Sequence, residues 1–154
     1  MTMNKRKTCA FTGHREVEKD FDISFLKECV QGIIDKGYDT FLCGMAWGFD
    51  LLAAQTVLEL KEQNGNIKLI ACVPCPEQEK SFPPSEKQKY AEIIQKCDEV
   101  RVLSDRYYKG CMYARDRYMV DNCDVLFAYD RKHEGGTYYT VSYAVENNKK
   151  IFVI

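Results

Sequence analysis

Two rhythms of apolar residues alternate along this chain. Short apolar runs at residues 8–11, 40–43, 67–73, 125–129 and 151–154, with an alternating run at 99–103, have the length and composition of strands. Between them, residues 21–36 bring Leu26, Cys29, Val30, Ile33 and Ile34 onto one helical face, and residues 50–64 do the same with Leu51, Ala54, Val57 and Leu58. Further helices are expected at 85–96, where Tyr90, Ile93 and Ile94 are in register, at 111–121 and at 138–147. Gly37 and the Asn64-Gly65 pair supply stops. Six strands alternating with five helices predict an α/β fold. It is a single Rossmann-like domain over 1–154, a mostly parallel sheet of about six strands with helices on both faces. The order of the strands is not legible.

The four prolines, Pro74, Pro76, Pro83 and Pro84, bracket a charged segment that is expected to form a mobile lid. Lys plus Arg is 22 and Asp plus Glu 23, so a formal charge of -1 gives no field of the kind that gathers nucleic acid, and a nucleic-acid partner is not expected. No apolar run approaches the length of a membrane span, and the basic opening residues lead into no secretory apolar region; the expectation is a cytoplasmic protein with no membrane partner. In that setting the eight cysteines are thiols, and Cys9, Cys43, Cys72 and Cys123 read as small core residues.

Open parallel sheets bind ligands beyond the carboxyl ends of their strands, so the residues after each apolar run are the first candidates for chemistry. Three of these turns carry glycine: Thr12-Gly13-His14-Arg15, then Gly44-Met45-Ala46-Trp47-Gly48-Phe49-Asp50, then Glu134-Gly135-Gly136-Thr137. Glycine lets backbone amides approach an anion, and a following helix N-terminus adds roughly half a positive charge. A lone glycine pair is ordinarily just a turn; three on one sheet edge point to a phosphate-bearing ligand. Thr12, Gly13, Gly135, Gly136 and Thr137 would hold phosphate, Arg15 and Arg115 would neutralise it, and Gly44, Gly48 and Asp50 would shape the ribose or base end.

These motifs, with Ala53-Ala54 behind the second, resemble the signature of the SLOG superfamily, and within it the chain is most similar to the YpsA-like, DUF1273 group. The resemblance implies a compact domain that binds a nucleotide or an ADP-ribose-like derivative, requires no cofactor or metal, and forms a homodimer or higher homo-oligomer. The superfamily's phosphoribohydrolases carry Met-x-x-Arg-Lys, which Met112-Tyr113-Ala114-Arg115-Asp116 resembles with Asp116 in the lysine's place. They also carry Gly-Gly-x-Gly-Thr followed by a catalytic glutamate, whereas Gly135-Gly136-Thr137 lacks a turn glycine and Thr140 stands in the glutamate's place. Cleaving an N-glycosidic bond requires a carboxylate near an oxocarbenium-like centre. Asp50, Asp116 and Glu134 are the acids left to substitute.

Single residues carry two readings each. His14 can contact phosphate or act as a general acid, or simply hold its turn; His133, in the charged stretch 130–134, reads as solvated loop. Trp47 can stack on a base or pack under its loop. Asp50 can cap the helix it begins or bond a ribose hydroxyl. Cys72-Val73-Pro74-Cys75 invites a redox or zinc reading, but no further ligands and no helix N-terminus accompany it. The tyrosines at 107, 108, 113, 118, 138 and 139, among arginines, fit a single-stranded nucleic-acid surface, helix packing or a dimer interface. Three functions therefore stand: a nucleotide-binding sensor or sequestering module, a nucleoside-monophosphate phosphoribohydrolase with a relocated acid, and single-stranded nucleic-acid binding of the kind found in the DNA-uptake protein DprA.

Overall fold

The computed structural model describes residues 7–154. The basic stretch 1–6, part of the segment expected to carry no secretory signal, lies outside the described residues. In chain order the elements are β1 (Lys7–Gly13), α1 (Ile23–Asp35), β2 (Tyr38–Cys43), α2 (Phe49–Lys61), β3 (Lys68–Val73), α3 (Pro84–Ile94), β4 (Glu99–Val102), α4 (Cys111–Asp121), β5 (Val125–Tyr129), α5 (Gly135–Glu146) and β6 (Lys150–Val153). The alternation matches the one expected, with one boundary of consequence. Helix α5 begins at Gly135 rather than at 138, so the glycine pair and Thr137 form its first turn rather than a loop before it.

All six strands run parallel in the order β4-β3-β2-β1-β5-β6. The chain steps outward from β1 to β4, then returns across the sheet to β5, which leaves a switch point between the carboxyl ends of β1 and β5. There Gly13 is in register with Tyr129. Period-two alternation divides the strands between two cores. Phe11, Phe41, Leu69 and Phe127 face Val30, Val57 and Ile93 on α1, α2 and α3. Ala10, Leu42, Ile70 and Leu126 face Met119 and Ala144 on α4 and α5.

Phe49, at the start of α2, is fully buried and holds the first core together beneath the switch point. Its ring stacks on Tyr129 at 5.4 Å and on Phe127 at 6.2 Å, and meets Phe11 edge-on at 6.4 Å. Its backbone N–H donates to the carbonyl of His14 at 3.1 Å, joining the β2–α2 turn to the β1–α1 turn.

The proline-bracketed segment is anchored, contrary to the expected lid. Gln78 and Phe82 are buried, Gln78 Nε2 donates to the Gly44 carbonyl at 3.1 Å, and Phe82 packs edge-on against Trp47 and Tyr90 at 5.1 and 5.7 Å. The prolines shape a short 3-10 turn at Gln78–Ser81 that braces the β2–α2 turn from behind.

The tightest approach between the two turns is at Gly48. Its φ is +83°, and a Cβ built there would lie 2.1 Å from the carbonyl oxygen of Arg15. Gly48→Ala is expected to lower the unfolding free energy by about 2 kcal/mol or more in a denaturant titration. Gly65→Ala, at a position with nothing within 4 Å, should change it by about 0.5 kcal/mol at most. An unshifted midpoint for the Gly48 variant would show that the turns separate freely.

Candidate functional site

A cavity of about 800 Å³ opens at the switch point. The β1–α1 turn contributes residues 12–16, the β2–α2 turn contributes Ala46, Trp47 and Asp50, and the start of α5 contributes Glu134, Gly135, Gly136 and Thr137. Helix α4 closes the floor with Met112, Arg115, Asp116 and Met119, and Tyr113 joins them. Most of the expected site residues are thus brought together. Gly44, Met45 and Gly48 are not among the lining residues. Met45 is instead fully buried in the first core at a φ of +61°, a conformation rarely adopted outside glycine. Glu16, Tyr113, Met119 and Lys132 line the cavity without having been singled out for it. The spacing of Met112, Arg115, Asp116 and Met119 on one helical face was the available signal for α4.

The glycines fall into two physical classes. A Cβ at Gly13 would meet the Phe49 ring at 2.3 Å, one at Gly44 the Arg115 guanidinium at 2.8 Å, and one at Gly48 the Arg15 backbone. At these three positions the missing side chain lets protein pack against protein, and of the three only Gly13 lines the cavity. A Cβ at Gly135 or Gly136 would meet nothing within 4 Å beyond its own helix. Both are exposed at the cavity, at the open end of α5, where Glu134 takes the N-cap position in extended conformation without a side-chain cap bond. The first-turn amides of a helix have no acceptor within the helix, and here they adjoin open space.

Arg115 is buried at the cavity floor, and two of its three guanidinium nitrogens are committed to the fold. Its Nη1 donates to the carbonyls of Gly44 and Cys72, and its Nε donates to Asp116 Oδ1 at 2.9 Å. Burial works against its charge, but Asp116 and Asp50 outweigh it and hold the guanidinium protonated above its ordinary range. Burial likewise raises the carboxyl of Asp116 in spite of Arg115. Asp50 is not the cap of α2, a position Gly48 occupies; it lies two residues further in, buried, with Oδ2 accepting from the Ala46 N–H at 3.2 Å. Burial pushes its carboxyl up to about 7, with Arg115 and the Ala46 amide pulling the other way. Its Oδ1 is buried without a hydrogen-bond partner.

His14 is a positioning residue. Its Nε2 accepts from the backbone N–H of Arg131 at 2.9 Å and of Lys132 at 3.3 Å, which requires that nitrogen unprotonated and stitches the β1 turn to the β5 turn. Burial lowers its pKa, with nearby Asp130 opposing, in keeping with a neutral ring. His133 is exposed, as expected of solvated loop. Arg15 lies over the Trp47 ring at 4.2 Å, so the indole holds a guanidinium at the cavity wall and packs on Phe82 with its edge, rather than leaving that face free for a base. Cys72 and Cys75 are buried, and burial pushes the Cys72 thiol up to about 12, far from a reactive thiolate. Several tyrosines are drawn into α4–α5 packing: Tyr113 and Tyr139 meet at 4.5 Å, and Arg117 donates to Tyr139.

Two outcomes follow for the buried charges. Arg115→Ala leaves Asp116 without its partner and removes the guanidinium bonds to the Gly44 and Cys72 carbonyls, and should cost roughly 3 kcal/mol or more of stability by chemical unfolding; a variant as stable as the parent would contradict the anchoring role. The folded protein also holds a proton on Asp50 that the unfolded chain, at an ordinary value of 3.8, releases. That contribution is complete below about pH 4 and is lost as pH rises through 7. Relative to Asp50→Asn, which does not titrate, the parent should lose stability steadily between pH 4 and pH 8; a flat difference would place the carboxyl in a solvated setting.

Comparison with known proteins bears on this fold and these motifs. The protein called UPF0398 protein YpsA from Bacillus subtilis is 24% identical over 157 residues, covering 94% of this chain and 87% of its own. UPF0398 protein BH1768 from Halalkalibacterium halodurans is 27% identical over 135 residues, covering 83% and 71%. Among solved structures, DNA processing protein A from Helicobacter pylori superposes with a TM-score of 0.69 at 19% identity, and that from Streptococcus pneumoniae with 0.68 at 20%. The likeness covers 96% of this chain but only 64% and 50% of those longer chains, so it speaks to the fold alone. The family model of the YspA SLOG family matches residues 9–153, nearly the whole Rossmann-like domain, and the chain belongs to that family.

Proposed function

We propose that this protein binds a nucleotide or an ADP-ribose-like derivative and acts as a sensor or sequestering module. The ligand's phosphate lies at the first turn of α5. The observation that carries this reading is the open space around Gly135 and Gly136 at an uncapped helix N-terminus, in a cavity of about 800 Å³ at the switch point of the sheet. Thr12 and Thr137 line the same space, and Arg15, preset over Trp47, supplies its free guanidinium.

Neither alternative draws equal support. In the hydrolase reading the acid is relocated to Asp50, Asp116 or Glu134, which line the cavity, because Thr140 stands in the glutamate's place, buried with its hydroxyl donating to the Gly136 carbonyl at 2.8 Å; Asp50 and Asp116 are already bonded to the Ala46 amide and to Arg115. The Helicobacter pylori neighbour is described by its single-stranded DNA binding mode. In this chain the formal charge is -1, and Arg101 and Arg117 are tied to tyrosine hydroxyls, Arg101 also to Glu99. A small phosphorylated ligand fits these charges better than a strand of phosphates.

Protein incubated with AMP, ADP-ribose, NAD, purine riboside monophosphates and a single-stranded oligonucleotide, then analysed by mass spectrometry as retained and free fractions, should retain an intact nucleotide. Release of free base would favour the hydrolase, and retention of the oligonucleotide alone the nucleic-acid reading. Gly136→Ala, whose Cβ meets nothing within 4 Å, should unfold like the parent yet bind the retained nucleotide about tenfold more weakly or worse, a loss of about 1.4 kcal/mol. Undiminished affinity would remove the α5 turn from the site.

A further inference from the structure

The amino ends of the strands, on the sheet edge opposite the switch point, carry a second concavity of about 400 Å³. Four neighbouring strands build it: Lys7 begins β1, Tyr38 begins β2, Asp124 precedes β5 and Lys150 begins β6, while Lys149 comes from the α5–β6 turn. Register holds these residues together. Lys7 lies beside Tyr38, Lys150 beside Val125, and the Asp124 N–H donates to the Thr8 carbonyl at 2.8 Å. Strand β1, seven residues long, sets this edge about 20 Å from the cavity at the switch point.

Three lysines line the space against one carboxylate, and that carboxylate is already bonded: Asp124 Oδ2 accepts from the Thr8 N–H at 2.8 Å. Among the described residues none of the three lysines has an ion-pair partner. Backbone carbonyls hold two of the ammonium groups instead. Lys149 Nζ donates to the Cys123 carbonyl at 2.9 Å, and Lys7 Nζ donates to the Lys36 carbonyl at 3.3 Å while lying 5.5 Å from the centre of the Tyr38 ring. An ammonium carries three N–H groups, so both keep donors for a further acceptor. Lys150 is exposed beside them. In a chain of formal charge -1, the fold gathers like charges at one place without counter-charges; an anion among them turns mutual repulsion into attraction.

The lining also says what kind of anion fits. Lysine acts on phosphate oxygens as a point charge with rotatable donors, without the planar fork that selects carboxylates. Tyr38 is the one aromatic residue in the lining, and Lys7 lies over its ring, so no face is left on which a base would stack. A small, multiply charged ligand is therefore favoured over a nucleoside. We propose that this concavity is a second anion site, separate from the cavity at the switch point, and that Lys7, Lys149 and Lys150 bind a small polyphosphate anion of the pyrophosphate class, free or as the diphosphate end of a larger molecule.

Backbone amide chemical shifts of the full chain, followed by NMR during titration with sodium pyrophosphate and separately with ADP, test the proposal, because a residue-resolved signal separates this edge from the α5 turn. Pyrophosphate should produce saturable changes at Asn148, Lys149 and Lys150, and its affinity should fall as sodium chloride is raised. Lys7→Gln combined with Lys150→Gln, both at exposed positions, should weaken it about tenfold or more; Lys150→Gln alone, with a smaller loss, serves should the pair fail to fold. ADP acting on the same three amides identifies the diphosphate end of a larger molecule as a ligand, and ADP acting only at Gly136 and Thr137 leaves the free anion. Pyrophosphate that leaves residues 148–150 unmoved, moves them without saturation, or binds the lysine variants as tightly as the parent overturns the proposal.

Discussion

The packing of the β2–α2 turn onto the β1–α1 turn is the constraint on which the site depends. Phe49 lies against Gly13, Gly48 lies against the Arg15 backbone, and the Phe49 amide bonds the His14 carbonyl. The aromatic stack of Phe49 with Phe127 and Tyr129 joins that contact to β5, while His14 reaches the Arg131 and Lys132 amides beyond it. Two turns and a strand end that are distant in sequence thereby become one rigid wall. The cavity is what remains between that wall, α4 and the start of α5. Its shape is set by backbone approaches that tolerate no added methyl group, which is a stronger constraint than side-chain packing alone.

Beneath the wall lies a group of buried charges with one cation and two carboxyls. Arg115 holds the Gly44 and Cys72 carbonyls, and thus the ends of β2 and β3, while Asp116 and Asp50 keep it charged. The carboxyls bear the cost in raised pKa values. A buried ionic group of this kind adds little net stability compared with apolar packing, but removing one member leaves the others uncompensated. What it supplies is position: the Asp50 carboxyl is held with one oxygen on the Ala46 amide and the other buried without a partner.

Much of the fold was legible because period two and period 3.6 separate cleanly in this chain, and β5 and α4 have the bounds that the apolar pattern indicates. Strand order was not, since no local pattern records which strands become neighbours. For the same reason the switch point appeared only as three turns sharing an edge. Within those turns a glycine beside open space and a glycine that admits another turn look identical in sequence; only the contacts separate Gly136 from Gly48. The burial of Arg115 was not legible because it depends on α4 crossing behind the β2 and β3 ends. The prolines at 74–84 signalled a break in regular structure correctly, but Phe82 and Gln78, which pin the segment, gave no local sign of their long-range partners. The start of α5 was hidden by low helix propensity at the two glycines, whose missing side chains leave open space at the first turn.

The central claim is that the ligand's phosphate sits on the α5 turn and not among the packed glycines. Backbone amide chemical shifts followed by NMR during titration with AMP test it directly. The largest changes are expected at Gly136 and Thr137, with Gly44 and Gly48 nearly unmoved. Changes concentrated at Gly44 and Gly48, with Gly136 and Thr137 silent, would contradict the division of the glycines and the placement of the phosphate with it.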